Sequence, residues 1–175
     1  MLQSLPFIFE KARVVVAVGQ EIERKFLVVS EQWRDAVVAH VVYRQGYLCG
    51  NQRSSVRIRV SDQEARLNIK SATLGIERQE YDYPLPLEDA HTLLDCLCEQ
   101  PLIEKTRYYV DYQEKRWEID VFAGDNAGLI VAEIELACVD ETIALPPWVG
   151  EEVSHDPRYY NVSLVKYPYK DWVRP

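Results

Sequence analysis

Pairs of like-charged residues, separated by a single residue, recur along the chain and could carry chemistry. The acidic pairs are Glu21/Glu23, Glu118/Asp120 and Glu133/Glu135, and the basic pairs are Arg57/Arg59 and Lys105/Arg107. Residues two apart in a β-strand point to the same side, about 7 Å from each other. Two carboxylates at that distance repel by roughly 2 kcal/mol at an effective dielectric near 20, so an enclosed acidic pair needs a cation. Hard divalent metal ions prefer such oxygen ligands.

The basic pairs have the converse requirement. Planar guanidinium groups match phosphate oxygens bidentately, so Arg57, Arg59 and Arg107 on one enclosed surface would suit a polyphosphate. A wall of acids that faces a wall of bases is an arrangement for metal-assisted phosphoryl transfer. For any single strand, a charged face turned to water explains the pattern better. Because the charges segregate by sign from strand to strand, the whole set favours an enclosed site.

These charges must be positioned by β-strands, because β-branched and aromatic residues alternate with them at a period of two. We predict eight strands, over residues 21–29, 41–49, 53–61, 64–71, 76–84, 102–112, 115–123 and 129–138. Short polar links between them favour antiparallel neighbours. The predicted fold class is mainly β (α+β): a closed eight-stranded antiparallel β barrel that forms a charged tunnel, with its Val and Ile residues outside.

Two segments depart from the strand pattern and predict helices. In Leu87–Glu99, leucine and alanine residues recur at helical spacing, which indicates a helix packed against the outside or the end of the sheet. A shorter helix is expected around Tyr159–Lys166, where it would close one end of the barrel. Residues 1–18 show neither period clearly, so we expect a leader outside the natural protein, whose start would be at Val18, and a single domain over residues 19–175.

Composition narrows the function classes. The chain has 175 residues, 47% hydrophobic and 27% charged, which suits one globular domain. No run approaches the roughly 20 apolar residues that cross a bilayer, so we expect a soluble protein. The net charge of −8 argues against nucleic-acid binding but leaves a basic cleft for a small anion open. The four cysteines and three histidines have no zinc-site spacing, and no secretion signal precedes them, so we expect reduced thiols in the cytoplasm.

The order of motifs resembles the CYTH domain family, also called triphosphate tunnel metalloenzymes. The segment Glu21-Ile-Glu-Arg-Lys25 matches that family's Glu-x-Glu-x-Lys signature. Further matching segments are Val56-Arg-Ile-Arg59, Leu67-Asn-Ile-Lys70, Glu104-Lys-Thr-Arg107, Glu118-Ile-Asp-Val-Phe122 and Val131-Ala-Glu-Ile-Glu135. The resemblance covers residues 19–168 and is strongest to short bacterial inorganic tripolyphosphatases.

The resemblance implies a role for each charged position. The metal ligands, for Mg²⁺ or Mn²⁺, would be Glu21, Glu23, Glu133 and Glu135, with Glu118 and Asp120 as further candidates. The phosphate-binding residues would be Lys25, Arg57, Arg59, Lys70, Lys105 and Arg107. Lys105 and Arg107 would also stabilise charge on the leaving or transferred group. Glu80 would orient a base or a water, although an ion pair with Arg78 explains Glu80 equally well.

The expected function is metal-dependent hydrolysis of a triphosphate, with inorganic tripolyphosphate cleaved to pyrophosphate and phosphate. Alternatives on the same site are a nucleoside or thiamine triphosphatase and a class IV-type adenylate cyclase. A non-catalytic polyphosphate-binding module is a further alternative, although anion binding alone has no use for so many acids. The expected partner is the small-molecule triphosphate, with no nucleic acid and no membrane, and the apolar outer strand faces permit a homodimer.

Overall fold

The computed structural model describes residues 17–73 and 75–172. Residues 1–16 of the predicted leader therefore lie outside the described residues. The strands are β1 (Ala17–Val28), β2 (Val37–Gly50), β3 (Ser54–Val60), β4 (Ala65–Ser71), β5 (Glu77–Leu85), β6 (Ile103–Tyr112), β7 (Lys115–Phe122), β8 (Ile130–Glu135) and β9 (Val149–Glu152). The α-helices are α1 (Leu87–Cys96) and α2 (Asn161–Lys166). Short 3-10 turns span Gln32–Ala36, Gly124–Asn126, Pro157–Tyr159 and Tyr169–Asp171.

Eight of the strands form an antiparallel ring. The order around the sheet is β5-β4-β3-β2-β6-β7-β8-β1, and pairing between β5 and β1 closes the ring. Residues 17–22 of β1 pair with β5, whereas residues 23–27 pair with β8, so the two neighbours use successive parts of one long strand. This ring confirms the predicted fold class and the eight predicted strands. The ninth strand, β9, adds to β1 and was not predicted, because four residues are too few to show an alternation.

The strand register places the charged faces inside the ring and the apolar faces outside. Ile22 and Phe26 of β1 point outward into a buried cluster that contains Trp117 and Trp148. The intervening side chain of Glu23 points inward and is only 15% exposed. The alternation therefore buries both faces of β1, one against apolar groups and the other against charges. This arrangement confirms the predicted inside-out barrel.

Helix α1 covers the outer face of β3 and β4. Its Ala90 and Leu94 pack with Ile58 and Val60 in a second buried cluster. The chain after α1 passes so close to β2 that a Cβ at Gly46 would lie 2.7 Å from Cβ of Cys98. A side chain at Gly46 would therefore push the helix segment away from the sheet.

Apolar residues fill the inside of the ring at one end. Ile103, Phe122 and Val131 share the inward face with the charges of their strands, and they pack against Leu164 and Val165 of α2. This packing confirms the expectation that the C-terminal helix closes one end of the barrel. Among the described residues, no helix is long and apolar enough to cross a membrane.

Candidate active site

The ring encloses a cavity of about 910 Å³ lined mainly by charged side chains. Most of the site residues predicted from the sequence line it: Glu21, Glu23, Lys25, Arg57, Arg59, Lys70, Glu80, Arg107, Glu118, Glu133 and Glu135. The two that do not are Lys105 and Asp120, which lie behind the wall with side chains 2% and 0% exposed. The fold thus brings residues from seven strands to one space.

The acidic side chains of β1 and β8 form a cluster whose negative charge exceeds the positive charge of the basic side chains that contact it. Glu23 and Glu135 face each other directly across the β1–β8 pairing. Within the part of the chain that the structure describes, Glu135 has no ion-pair partner. Burial raises the pKa of Glu135, and the nearby charges of Glu21, Glu23 and Glu80 raise this pKa further. Such a cluster attracts a cation.

Two basic side chains partly neutralise this acidic cluster. Lys70 Nζ lies 2.6 and 2.7 Å from the two carboxylate oxygens of Glu21. Arg78 lies 3.3 Å from an oxygen of Glu21 and 3.3 Å from an oxygen of Glu23. Arg78 was not predicted as a site residue. It lies two residues before Glu80 on β5, so its side chain also points into the ring.

The donor set fits a hard divalent cation by its chemistry. The cluster presents carboxylate oxygens, which such ions prefer, and its like charges repel one another until a cation joins them. Over residues 17–73 and 75–172, however, no three His, Cys, Asp or Glu side chains converge closely enough to hold one ion as they stand. Lys70 and Arg78 occupy the oxygens of Glu21 and Glu23 instead, so a metal ion would have to displace them.

The arginines of β3 form the opposite cluster, with too little negative charge. Arg57 and Arg59 make no ion pair with any carboxylate of the described residues, and the Nε atom of each is buried without a hydrogen-bond partner there. The guanidinium carbon of Arg59 lies 5.0 Å from the ring centroid of Tyr43. Burial lowers the pKa of Arg59, and the charges of Arg57 and Arg107 lower it further. This surface attracts an anion.

The two clusters face each other across the ring. Strand β3 is four steps from β8 in either direction, through β2-β6-β7 or through β4-β5-β1. Arg57 and Arg59 therefore lie on the wall opposite Glu133 and Glu135. Opposed walls of unlike charge match the arrangement that the sequence predicts.

Arg107 is the centre of a buried network that connects strands β1, β6, β7 and β8. Its Nε donates to Asp120 at 2.7 Å, and its other nitrogens donate to Glu118 and Glu133. Lys25 also donates to Glu133, and Lys105 to Asp120. Burial opposes the charge of Glu133, but the cations around it prevail and hold its pKa well below the usual range.

Lys105 and Asp120 form a closed pair inside this network. Burial lowers the pKa of Lys105 to about 8, although the carboxylate of Asp120 counteracts the effect. Burial opposes the ionised form of Asp120 as well, yet Arg107 and Lys105 outweigh it and lower the pKa of Asp120. The position of the pair suits support of Arg107 better than direct contact with a ligand.

Glu80 is held by β4. It accepts a hydrogen bond from Asn68 Nδ2, and one of its oxygens lies 3.5 Å from Lys70 Nζ. Arg78, the alternative partner considered from the sequence, pairs with the acids of β1. Glu80 therefore lines the cavity beside a phosphate-binding candidate, on the acidic side of the ring.

Comparison with known proteins places the chain in one family. The profile of the CYTH domain matches residues 19–165. An inorganic triphosphatase of Acetivibrio thermocellus is 44% identical over 154 residues, which cover 88% of this chain and 98% of that protein. An inorganic triphosphatase of Nitrosomonas europaea is 38% identical over 148 residues, covering 82% of this chain and 95% of that protein. A crystal structure of an inorganic triphosphatase, 35% identical, superimposes with a TM-score of 0.62 over 83% of this chain and 93% of that one. These matches confirm the resemblance, and the chain belongs to the CYTH domain family.

Proposed function

We propose that this protein is a divalent-metal-dependent triphosphatase that cleaves inorganic tripolyphosphate to pyrophosphate and phosphate. The observation that carries this proposal is the pair of unlike clusters in one cavity: among the described residues, Glu135 has no ion-pair partner, and neither has Arg57 or Arg59. A metal ion and a polyphosphate would supply both missing charges at once. The relatives named as inorganic triphosphatases support the choice of an inorganic substrate.

The metal ligands in this proposal are Glu21, Glu23 and Glu135, with Mg²⁺ or Mn²⁺ as the ion. When bound, the ion would neutralise phosphate oxygens and lower the pKa of a coordinated water. Glu133 and Glu118 would complete the acidic wall, although both are hydrogen-bonded to Arg107. Asp120, which is buried behind this wall, would position Arg107 by accepting its hydrogen bonds.

The phosphate chain would bind along the basic side of the cavity. The Nε groups of Arg57 and Arg59 have no hydrogen-bond partner among the described residues, and the two guanidinium groups would bind phosphate oxygens bidentately. Lys70 and Lys25 already contact carboxylates at the border between the walls, so they would contact phosphates that lie near the metal. Arg107, fixed by Asp120, would stabilise the charge that develops on the transferred group.

Lys105 and Glu80 would position neighbouring basic side chains rather than contact the reacting phosphorus atom. Lys105 would need to leave Asp120 to touch a phosphate, so we assign it the positioning of Arg107 through Asp120. Glu80, bound by Asn68, would hold Lys70 and accept a hydrogen bond from the attacking water. No covalent intermediate on the protein is required.

A nucleoside triphosphate is the second candidate substrate. The cavity extends past the charged walls to the neutral polar side chains of Asn51, Gln52 and Asn161. These side chains could donate and accept hydrogen bonds with an organic group attached to the triphosphate. A volume of about 910 Å³ also lies in the range of roughly 300–1,000 Å³ that is usual for small-molecule sites.

The experiment is a phosphate-release assay on purified protein with tripolyphosphate, ATP, thiamine triphosphate and pyrophosphate, each with Mg²⁺, Mn²⁺ or EDTA. The proposal expects metal-dependent release from tripolyphosphate and none in EDTA. Faster release from ATP would favour the second candidate. Tight binding of tripolyphosphate without turnover would replace both candidates with a polyphosphate-binding module.

A further inference from the structure

Arg78 lies between the two acidic side chains of β1. It is the direct cross-strand partner of Glu21 in the β1–β5 pairing. Its guanidinium reaches Glu21 and Glu23 at the same 3.3 Å, so one cation serves both carboxylates. The side chain is 14% exposed and lines the cavity. Arg78 therefore occupies oxygens that the proposed function gives to a metal ion.

Tyr160 supports Arg78 from the side. The guanidinium carbon lies 5.5 Å from the centroid of the Tyr160 ring, within the range of a cation–π contact. The Tyr160 hydroxyl donates to the carbonyl of Ser154 at 2.8 Å and accepts from the Gly75 amide at 3.3 Å. The ring is thus fixed to the chain before β5 and to the chain after β9, and it holds the guanidinium beside the acids.

Arg78 cannot release the acids by losing its proton. Burial opposes its charge, but Glu23 and Glu21 outweigh burial and raise the pKa of Arg78 above its already high ordinary value. The guanidinium can leave the carboxylates only by moving to another anion. A polyphosphate in the cavity provides such an anion.

We propose that Arg78 is a counter-cation that competes with the metal ion for Glu21 and Glu23 and that moves toward the polyphosphate when both are bound. The inference rests on the proposed function, because it takes Glu21 and Glu23 as metal ligands. It follows that an anion in the cavity tightens metal binding and that the metal tightens anion binding by the same factor. The metal affinity of the protein without a bound anion is therefore lower than its metal affinity with the anion in place.

The test measures Mn²⁺ binding to the metal-free protein by isothermal titration calorimetry, with and without sulfate as a phosphate mimic at constant ionic strength. In Arg78→Gln, the Mn²⁺ dissociation constant without sulfate should fall roughly tenfold, since a unit charge about 6 Å from a divalent ion is worth about that factor in water. The tightening by sulfate should be smaller in this variant than in the unaltered protein. Arg78→Lys keeps the charge and should stay within about threefold of the unaltered protein.

The matched control is Arg24→Gln. Arg24 lies on the same strand but on its outer face, where Nε donates to Glu152 at 3.0 Å. This variant loses one arginine–carboxylate pair and the same charge, and it should leave Mn²⁺ affinity within about twofold. If Arg78→Gln does not fold, Tyr160→Leu removes the support of the guanidinium and should tighten Mn²⁺ binding by roughly two- to threefold.

The outcomes separate the two proposals. If the unaltered protein binds no Mn²⁺ either with or without sulfate, the proposed metal site is wrong. If it binds Mn²⁺ and folded Arg78→Gln binds with the same affinity, Arg78 is only a structural ion-pair partner and the inference fails. An equal gain in affinity for Arg24→Gln would also overturn it, since the effect would then be one of net charge.

Discussion

Glu23 and Glu135 lie directly opposite each other on β1 and β8, with their carboxylates turned into the same cavity. Glu23 shares the cations Lys25 and Arg78, which lie 3.5 and 3.3 Å away. Glu135 has no such partner among the described residues. Glu135 therefore gains less stabilisation from neighbouring cations than Glu23 does.

The first prediction concerns Glu135→Gln. Without metal ions at pH 7, this variant should melt roughly 1 °C higher than the unaltered protein, because it loses a repelling charge whose effect is reduced by the exposure of the side chain to water. The pKa of Glu135 is raised in the folded state, so the folded protein takes up this proton before the unfolded chain does. The advantage of Gln should therefore disappear as the pH falls through the raised pKa toward the ordinary value.

Thermal melts in EDTA from pH 8 to pH 4.5 measure this effect. The control is Glu151→Gln, an exposed residue of β9, which should change neither stability nor activity. Metal-dependent phosphate release should fall roughly 100-fold or more in Glu135→Gln, since several kcal/mol of charge stabilisation depend on the ion. Equal melting at every pH would show that Glu135 is compensated in solution.

A second prediction separates the members of the buried pair. Asp120 accepts hydrogen bonds from both Lys105 and Arg107, whereas Lys105 donates to Asp120 alone within the described part of the chain. Asp120→Leu would leave a buried ammonium without its partner and should cost about 3–5 kcal/mol of unfolding free energy. Lys105→Met leaves Asp120 paired with Arg107 and should cost less. Urea unfolding at pH 7 compares them, and the reverse order would contradict the network described above.

A third prediction tests the arginine wall. Arg57→Lys keeps the charge but loses the planar fork, so KM for tripolyphosphate should rise about tenfold with a smaller change in kcat. Arg66→Lys is the control, because Arg66 is paired with Asp82 at 2.7 Å and does not line the cavity. Steady-state kinetics with saturating metal measure both variants. An unchanged KM in Arg57→Lys would remove Arg57 from the phosphate site.

A fourth prediction concerns the closed end of the ring. Leu164 of α2 is fully buried against Phe122 and Val131, so Leu164→Ala should cost about 2–5 kcal/mol of unfolding free energy. Leu97→Ala, at a position 64% exposed, should cost less than about 0.5 kcal/mol. Urea unfolding checks both values. A small cost at Leu164 would mean that α2 is not firmly packed in the end of the ring.

The local sequence pattern is sufficient to predict the strands and to predict which charged residues share one face of each strand. Alternation such as Glu21, Ile22, Glu23 specifies which residues share a face, because successive side chains of a strand point to opposite sides whatever the rest of the molecule does. The eight predicted strands follow from this rule, and the helix that begins at Leu87 follows from helical spacing. Strand β9 was missed because it is too short for any period.

The pairing of strands that are distant in sequence decided which of these faces is enclosed and which residues each charged side chain contacts inside the ring. Only the closed ring places Arg57 and Arg59 of β3 opposite the acids of β8, four strands away in either direction. Only the register of β1 with β5 puts Arg78 between Glu21 and Glu23, residues more than 50 positions apart in the chain. The assembled ring also decides whether a side chain reaches the cavity. Lys105 and Arg107 are both basic residues on the same face of β6, yet Lys105 lies behind the cavity wall and Arg107 lines the cavity.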